Sequence, residues 1–186
     1  AYNNVPHIGH SNPEVRDAVF AQMGILNTNT RYLNDRMAEY AELLLGTFDR
    51  RLEKCFFLNS ASEANELALR LAFNYTGRKD VIVLDDAYHG NTNTLIDISP
   101  YKHDGPGGNG APPWVHAAPV PDCYRGKYKY ADGEAGKKYA AYVNDIIDAL
   151  DTAGNAPAAF IAETCPSVGG QIIPPGGYLE EVYWHI

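Results

Sequence analysis

Three things are scarce in this 186-residue chain: basic clusters, cysteine and long apolar runs. Each shortage excludes a class of protein. With 15 Lys+Arg against 23 Asp+Glu the formal charge is −8, and the longest basic clusters are the pairs Arg50-Arg51 and Lys137-Lys138. A polyphosphate backbone is bound by a basic face, so no nucleic-acid partner is expected. No stretch approaches the roughly 18 consecutive apolar residues of a membrane span, and no basic segment followed by an apolar one opens the chain, so no membrane partner is expected. Cys55, Cys123 and Cys165 are odd in number and form no CxxC pair, so neither a disulfide framework nor a thiolate metal site is suggested, and a cytoplasmic location fits. What is present, 45% hydrophobic with 20% charged residues, is the composition of a folded chain with a real core. One large domain is the expectation.

Helical and strand patterns alternate along the chain. Met37, Tyr40, Ala41, Leu44, Leu45 and Phe48 recur at helical spacing behind a cap at Asn34. Ala64, Leu67, Ala68, Leu71 and Ala72 form a second stripe, and Tyr139, Tyr142, Val143, Ile146, Ile147 and Leu150 a third. Asn12-Pro13 reads as the start of another helix. Between them lie compact apolar runs at 55–58, 81–84 and 158–162, which read as buried strands. Strands apolar on both faces and separated by helices predict an α/β fold, a three-layer sandwich around a mostly parallel sheet. In such sheets ligands bind beyond the carboxyl ends of the strands.

Three segments follow those strands. Asn59-Ser60-Ala61-Ser62-Glu63-Ala64 opens a helix with small hydroxylated residues, where unpaired N–H groups can receive a phosphate. Ser60 and Glu63 also have the spacing of a capping box. Asp85-Asp86-Ala87-Tyr88-His89-Gly90-Asn91 brings an aromatic able to stack on a planar ring, or simply to pack a loop. Glu163-Thr164-Cys165-Pro166-Ser167-Val168-Gly169-Gly170 puts a carboxylate on the same edge, unless it is a solvated loop glutamate. A phosphate cradle, a stacking aromatic and a carboxylate together describe a site for a planar, phosphorylated cofactor with a ring nitrogen.

Asn59-Ser60-Ala61-Ser62-Glu63-Ala64-Asn65, Tyr88-His89-Gly90 and Glu163 resemble the class III aminotransferase family of fold type I, which uses pyridoxal phosphate. The resemblance runs from Tyr2-Asn3-Asn4-Val5 and Gly9-His10 to Gly177-Tyr178. It is closest to the phospho-lyase branch, which acts on phosphoethanolamine or phosphohydroxylysine. Residues 26–31, 98–102, 124–128 and 169–175 carry that closer match. The resemblance implies the large-domain portion of a fold type I enzyme, with dimer-interface helices in 1–50 and the cofactor-binding α/β portion in 51–186. It implies that Ser60, Ala61 and Ser62 hold the cofactor phosphate. Tyr88 stacks on the ring with His89 supporting it, and Glu163 helps fix the carboxylate that protonates the ring nitrogen. A homodimer with its active site between subunits, and a small amine substrate, are implied as well.

Three departures accompany the resemblance. Ala61 stands where the family usually has glycine. Val168 stands where many ω-aminotransferases carry a glutamate that gates the arginine binding the 2-oxo acid, which weakens a transaminase reading. The family's Schiff-base lysine lies beyond the counterpart of Gly177-Tyr178, so no catalytic lysine is expected before Ile186. The expectation is therefore the middle portion of a longer enzyme.

By the resemblance, the whole enzyme eliminates phosphate and ammonia from an amino-alcohol phosphate to give an aldehyde. A second phosphate must then be bound, for which Arg31 and Arg125 are candidates through paired guanidinium hydrogen bonds, against ordinary surface or ion-pair roles. Rival readings are a class III (omega-)aminotransferase and a non-catalytic cofactor-binding or dimerisation fragment. A metal site on His7 and His10 is disfavoured by Pro6, Gly9 and the lack of a nearby carboxylate. Whether Gly105–Pro113 is ordered stays open.

Overall fold

A computed structural model describes residues 6–186, which fall into two compact units divided between Phe57 and Leu58. The match expected at Tyr2-Asn3-Asn4-Val5 lies outside the described residues.

The first unit holds two helices. α1, Pro13–Ile25, starts where Asn12 Oδ1 accepts from Glu14 and Val15 N–H, with proline at its first position. α2, Asp35–Leu45, starts behind Asn34, whose side chain accepts from Arg36 N–H. It stops three residues short of the expected Phe48, because Gly46 N–H closes back on Glu42 O and the chain then turns. Neither helix has a buried residue within the chain. Phe20, Ile25 and Leu33 are 79%, 80% and 98% exposed.

The expected strand at 55–58 does not form. An apolar run reports a tendency to be buried, whereas a strand also needs a neighbour to complete its ladder. Phe57 instead stacks on Tyr40, ring centroids 5.3 Å apart.

The second unit is mixed α/β around a small sheet. Its three strands, β1 (Val81–Leu84), β2 (Val115–Ala118) and β3 (Ala159–Phe160), are all parallel in the order β2-β1-β3. β3 is shorter than the run at 158–162 suggested. Ala158 N–H and Ile161 N–H nevertheless bond Asp80 O and Ile82 O on either side of it. β2 was not expected, since Val-His-Ala-Ala is too short and mixed to show a period.

Alternation along β1 divides the core. Ile82 and Leu84 pack with Tyr139, Ala140, Val143, Ile147 and Leu150 of α6, Ala135–Thr152, and with Tyr178 and Val182 of α7, Tyr178–His185. Val81 and Val83 pack with Leu69 of α3, Ala61–Thr76, and with Leu95 of α4, Asn93–Asp97. Helices therefore cover both faces of the sheet, which requires its central strand to be apolar throughout. Burying β1 alone, four residues at 2% exposure or less, contributes about 1.5–3 kcal/mol per side chain.

α3 corrects the expected stripe. Leu71 is 49% exposed and Ala64 and Ala68 are exposed, while Leu69 is buried and Phe73 packs against the core. The inward face runs through Ser62, Asn65, Glu66, Leu69 and Phe73, and its first turns are polar because they bond a loop rather than a hydrophobic core. Gly77, at φ +67, ends the helix in the left-handed conformation that glycine adopts without strain.

The Gly105–Pro113 segment follows α5, Pro100–His103, in tight turns. Gly108 N–H bonds Gly105 O, and Gly110 N–H bonds His103 O. Among the described residues no helix is long and apolar enough to cross a membrane.

Candidate active site

The carboxyl ends of β1 and β3 and the N-terminus of α3 meet in one hydrogen-bonded network. At the helix start Ser60 Oγ accepts from Glu63 N–H at 3.1 Å, and Glu63 Oε2 accepts from Asn59 N–H at 2.9 Å. This is a capping arrangement shifted by one residue on its return bond. It leaves Ala61 and Ser62, the first two helical positions, with N–H groups that have no intrahelical acceptor. Such a terminus attracts an anion through its N–H groups and the helix dipole.

Ser62 Oγ is already an acceptor, taking the Asn91 N–H at 3.1 Å. One turn further on, Asn65 Nδ2 donates to His89 O at 2.8 Å. Gly90, between these two contacts, has φ +144, and a Cβ there would lie 2.8 Å from Ser62 Oγ and 3.2 Å from Ser62 Cα. Only glycine lets the loop lie so close to the helix. On the next helical face Glu66 accepts from the hydroxyls of Thr92 and Thr94.

The loop is held from the sheet side too. Glu163 Oε1 accepts from Tyr88 N–H at 3.2 Å and its Oε2 from Ser167 N–H at 3.0 Å, so one carboxylate joins the ends of β1 and β3. Ser99, fully buried, accepts His89 N–H at 2.9 Å and donates to Leu95 O. The backbone of His89 is thus held on both sides, at its N–H by Ser99 and at its carbonyl by Asn65.

His89 is 5% exposed, and its Nε2 has no hydrogen-bond partner among the described residues. Burial pushes its imidazole below the ordinary pKa, against the Glu163 carboxylate, which pulls it up. The half-buried Tyr88 ring meets Tyr101 edge-on at 6.2 Å, and the Lys102 ammonium lies 5.8 Å from its centroid.

The structure therefore brings Ser60, Ala61, Ser62, Tyr88, His89 and Glu163 into one continuous network. Arg125 lies apart, exposed on the loop after β2. Asp122 Oδ1 accepts the Tyr124 and Arg125 N–H groups at 2.7 and 3.0 Å, and Tyr139 Oη donates to Asp122 O at 2.8 Å. Arg125 lines a cleft of about 120 Å³ with Gly169, Gly170 and Gln171 from the segment after Glu163. Arg31 is in the first unit, exposed, its N–H bonded to Asn29 Oδ1. Asn65 and Ser99 lie in segments that carry the resemblance but were given no role from the sequence, and Glu66 and Thr92 were not singled out. The available signal for Asn65 and Glu66 was polar residues at helical spacing ahead of Leu69.

Beyond the carboxyl edge of this parallel sheet lie a helix N-terminus, an aromatic and a buried imidazole, the arrangement of an α/β protein whose strand ends face a candidate binding site. The chain belongs to the class III aminotransferase family, whose signature matches residues 2–184. It is 48% identical to an alanine–glyoxylate aminotransferase 2-like protein of Drosophila melanogaster, over 97% of this chain and 37% of that protein. It is 41% identical to ethanolamine-phosphate phospho-lyase homolog 1 of Caenorhabditis elegans, over 99% of this chain and 41% of the relative. Among solved structures it matches a phospholyase from Arthrobacter in complex with phosphoethanolamine, with TM-score 0.81 and 41% identity over 97% of this chain and 42% of that one. It also matches taurine:2-oxoglutarate aminotransferase from Bifidobacterium kashiwanohense, in complex with PLP and glutamate. There the TM-score is 0.77 and the identity 25%, over 94% of this chain and 40% of that one. The chain thus spans about two fifths of the length of these relatives.

Proposed function

We propose that the protein uses pyridoxal phosphate to eliminate phosphate and ammonia from an amino-alcohol phosphate such as phosphoethanolamine, leaving an aldehyde. The observation that carries this reading is the joint likeness, 41% in sequence and 0.81 in TM-score, to a phospholyase seen with phosphoethanolamine. The taurine aminotransferase stands at 25% and 0.77.

The residues fit the cofactor on three counts. The first helical N–H groups of α3 suit a phosphate, Gly90 keeps the loop against that helix, and His89 Nε2 is a buried polar atom without a partner among the described residues. When bound, the cofactor ring supplies an electron sink for negative charge on the carbon next to the substrate nitrogen.

Ser60, Ala61 and Ser62 hold the phosphate. Ser62 accepts from Asn91 and keeps its own proton to donate. Tyr88 would stack on the ring and His89 would support it, its charged form disfavoured by burial. Glu163 fixes the Tyr88 backbone and would help hold the carboxylate that protonates the ring nitrogen. Arg31 and Arg125 are the proposed partners of the substrate phosphate, and the pinned backbone of the 122–126 loop supports this for Arg125. The exposed apolar side chains of α1 and α2 support a homodimer that covers them.

A second reading, transfer of the amino group to a 2-oxo acid, is favoured by the 48% identity to the Drosophila aminotransferase-like protein. One assay separates the two. The gene product with pyridoxal phosphate and phosphoethanolamine, without any 2-oxo acid, is expected to release equal amounts of phosphate, ammonia and aldehyde. No phosphate release, with amino transfer once pyruvate is added, would establish the second reading. Unchanged affinity for phosphoethanolamine in Arg31→Ala and Arg125→Ala would remove those residues from the site.

A further inference from the structure

We propose that Asn65 is a positioning residue that sets the spacing between the phosphate-binding and ring-stacking ends of the site. This rests on the cofactor reading above.

The two ends belong to different elements. The phosphate end is the first turn of α3, and the ring end is Tyr88, on the loop that leaves β1. The structure ties them through one helical face. Ser62 and Asn65, three residues apart and so one above the other, each bond that loop. Ser62 Oγ takes Asn91 N–H at 3.1 Å, and Asn65 Nδ2 reaches His89 O at 2.8 Å. Between them Gly90 lies against Ser62 Cα with no room for a Cβ. Two bonds and one close contact define a rigid join, whereas one bond would leave a hinge. Of the two bonds, the Asn65 bond lies nearer Tyr88, ending on the carbonyl of the very next residue.

Asn65 has no need of the ligand to do this. Its side chain is half-buried, and its amide is committed to the carbonyl of His89, a residue whose own N–H is held by Ser99. It therefore acts on the cofactor through geometry. A ligand that touches both ends gains from their fixed separation, because binding one end presents the other at high effective concentration. A ligand that touches one end gains nothing from it.

The test compares three probes on the gene product and on Asn65→Ala and Asn65→Asp: pyridoxal phosphate, pyridoxal, and inorganic phosphate. Asn65→Asp keeps the size and replaces the donor by an acceptor, so it carries the test if the alanine variant does not fold. Loss of the bond is expected to weaken pyridoxal phosphate about ten-fold, the equivalent of one hydrogen bond, with pyridoxal alone and phosphate alone unchanged. The visible circular dichroism of the bound cofactor should change with it, since the ring is held at a different angle. Unchanged affinity for pyridoxal phosphate would overturn the proposal. So would an equal loss for inorganic phosphate, which would place the effect in the helix terminus itself. If the unaltered protein binds no pyridoxal phosphate, the cofactor reading fails and takes this proposal with it. A variant that loses only the two-ended ligand's advantage supports both.

Discussion

Alanine at position 90 tests how closely the strand-end loop packs on α3. A Cβ on Gly90 would lie 2.4 Å from Leu95 Cδ1, 2.8 Å from Ser62 Oγ and 3.2 Å from Ser62 Cα, at φ +144. Leu95 is fully buried, so its methyl group cannot swing into solvent, and Ser62 Cα belongs to the first turn of a helix. Backbone strain of about 1–3 kcal/mol and overpacking of about 1–3 kcal/mol give a cost of roughly 2–6 kcal/mol, a large part of a total stability of about 5–15 kcal/mol. At about 2 kcal/mol per molar urea, the unfolding midpoint should fall by roughly 1 M or more. The collision with Leu95 can be isolated. Leu95→Ala alone should cost about 2–5 kcal/mol through the cavity it leaves, but it removes the shortest of the three contacts. Gly90→Ala should then cost at least about 1 kcal/mol less in that background than in the native one. Equal costs in the two backgrounds, or a single-variant cost below about 1 kcal/mol, would refute close packing of this loop on the helix.

Two more expectations rest on the same network and a third on the Arg125 loop. Glu163→Gln keeps one acceptor and turns an NH₂ toward the second backbone N–H, so urea unfolding should show a loss of about 1.5–3 kcal/mol, and an unchanged midpoint would remove Glu163 as the link between β1 and β3. The His89 imidazole is held below its ordinary pKa of 6.5 by burial, so the unfolded chain takes up that proton first. Stability should decline as pH falls below about 6.5 until the folded-state pKa is passed, and His89→Gln should flatten that slope in urea titrations run at several pH values. Tyr139→Phe removes the hydroxyl that donates to Asp122 O and accepts from Tyr128 N–H. A loss of about 1–3 kcal/mol with faster amide exchange at Tyr128 is expected, and unchanged exchange would show that the Arg125 loop is held by other means.

Much of this protein was legible in order along the chain. The Asn12, Asn34 and Ser60 caps, the α6 stripe and the all-apolar β1 report local rules, in which a residue's effect depends on neighbours three or four positions away. Ser60–Ser62, Tyr88-His89 and Glu163 could be picked out for the same reason, since each sits in a short motif, and the structure gathers them around the start of α3 and the ends of β1 and β3. What the tertiary structure decided concerns partners distant in sequence. It left 55–58 without a strand because hydrophobicity does not name a neighbour, and it made a strand of 115–118 because β1 offers it one. On α3 it chose the face beginning with Ser62, Asn65 and Glu66 over the more apolar stripe, because those side chains satisfy the peptide and hydroxyl groups of a loop some 25 residues on. Apolar periodicity measures burial against a core. It is silent on a face whose task is to hydrogen-bond another backbone, which is the face α3 presents to the loop after β1.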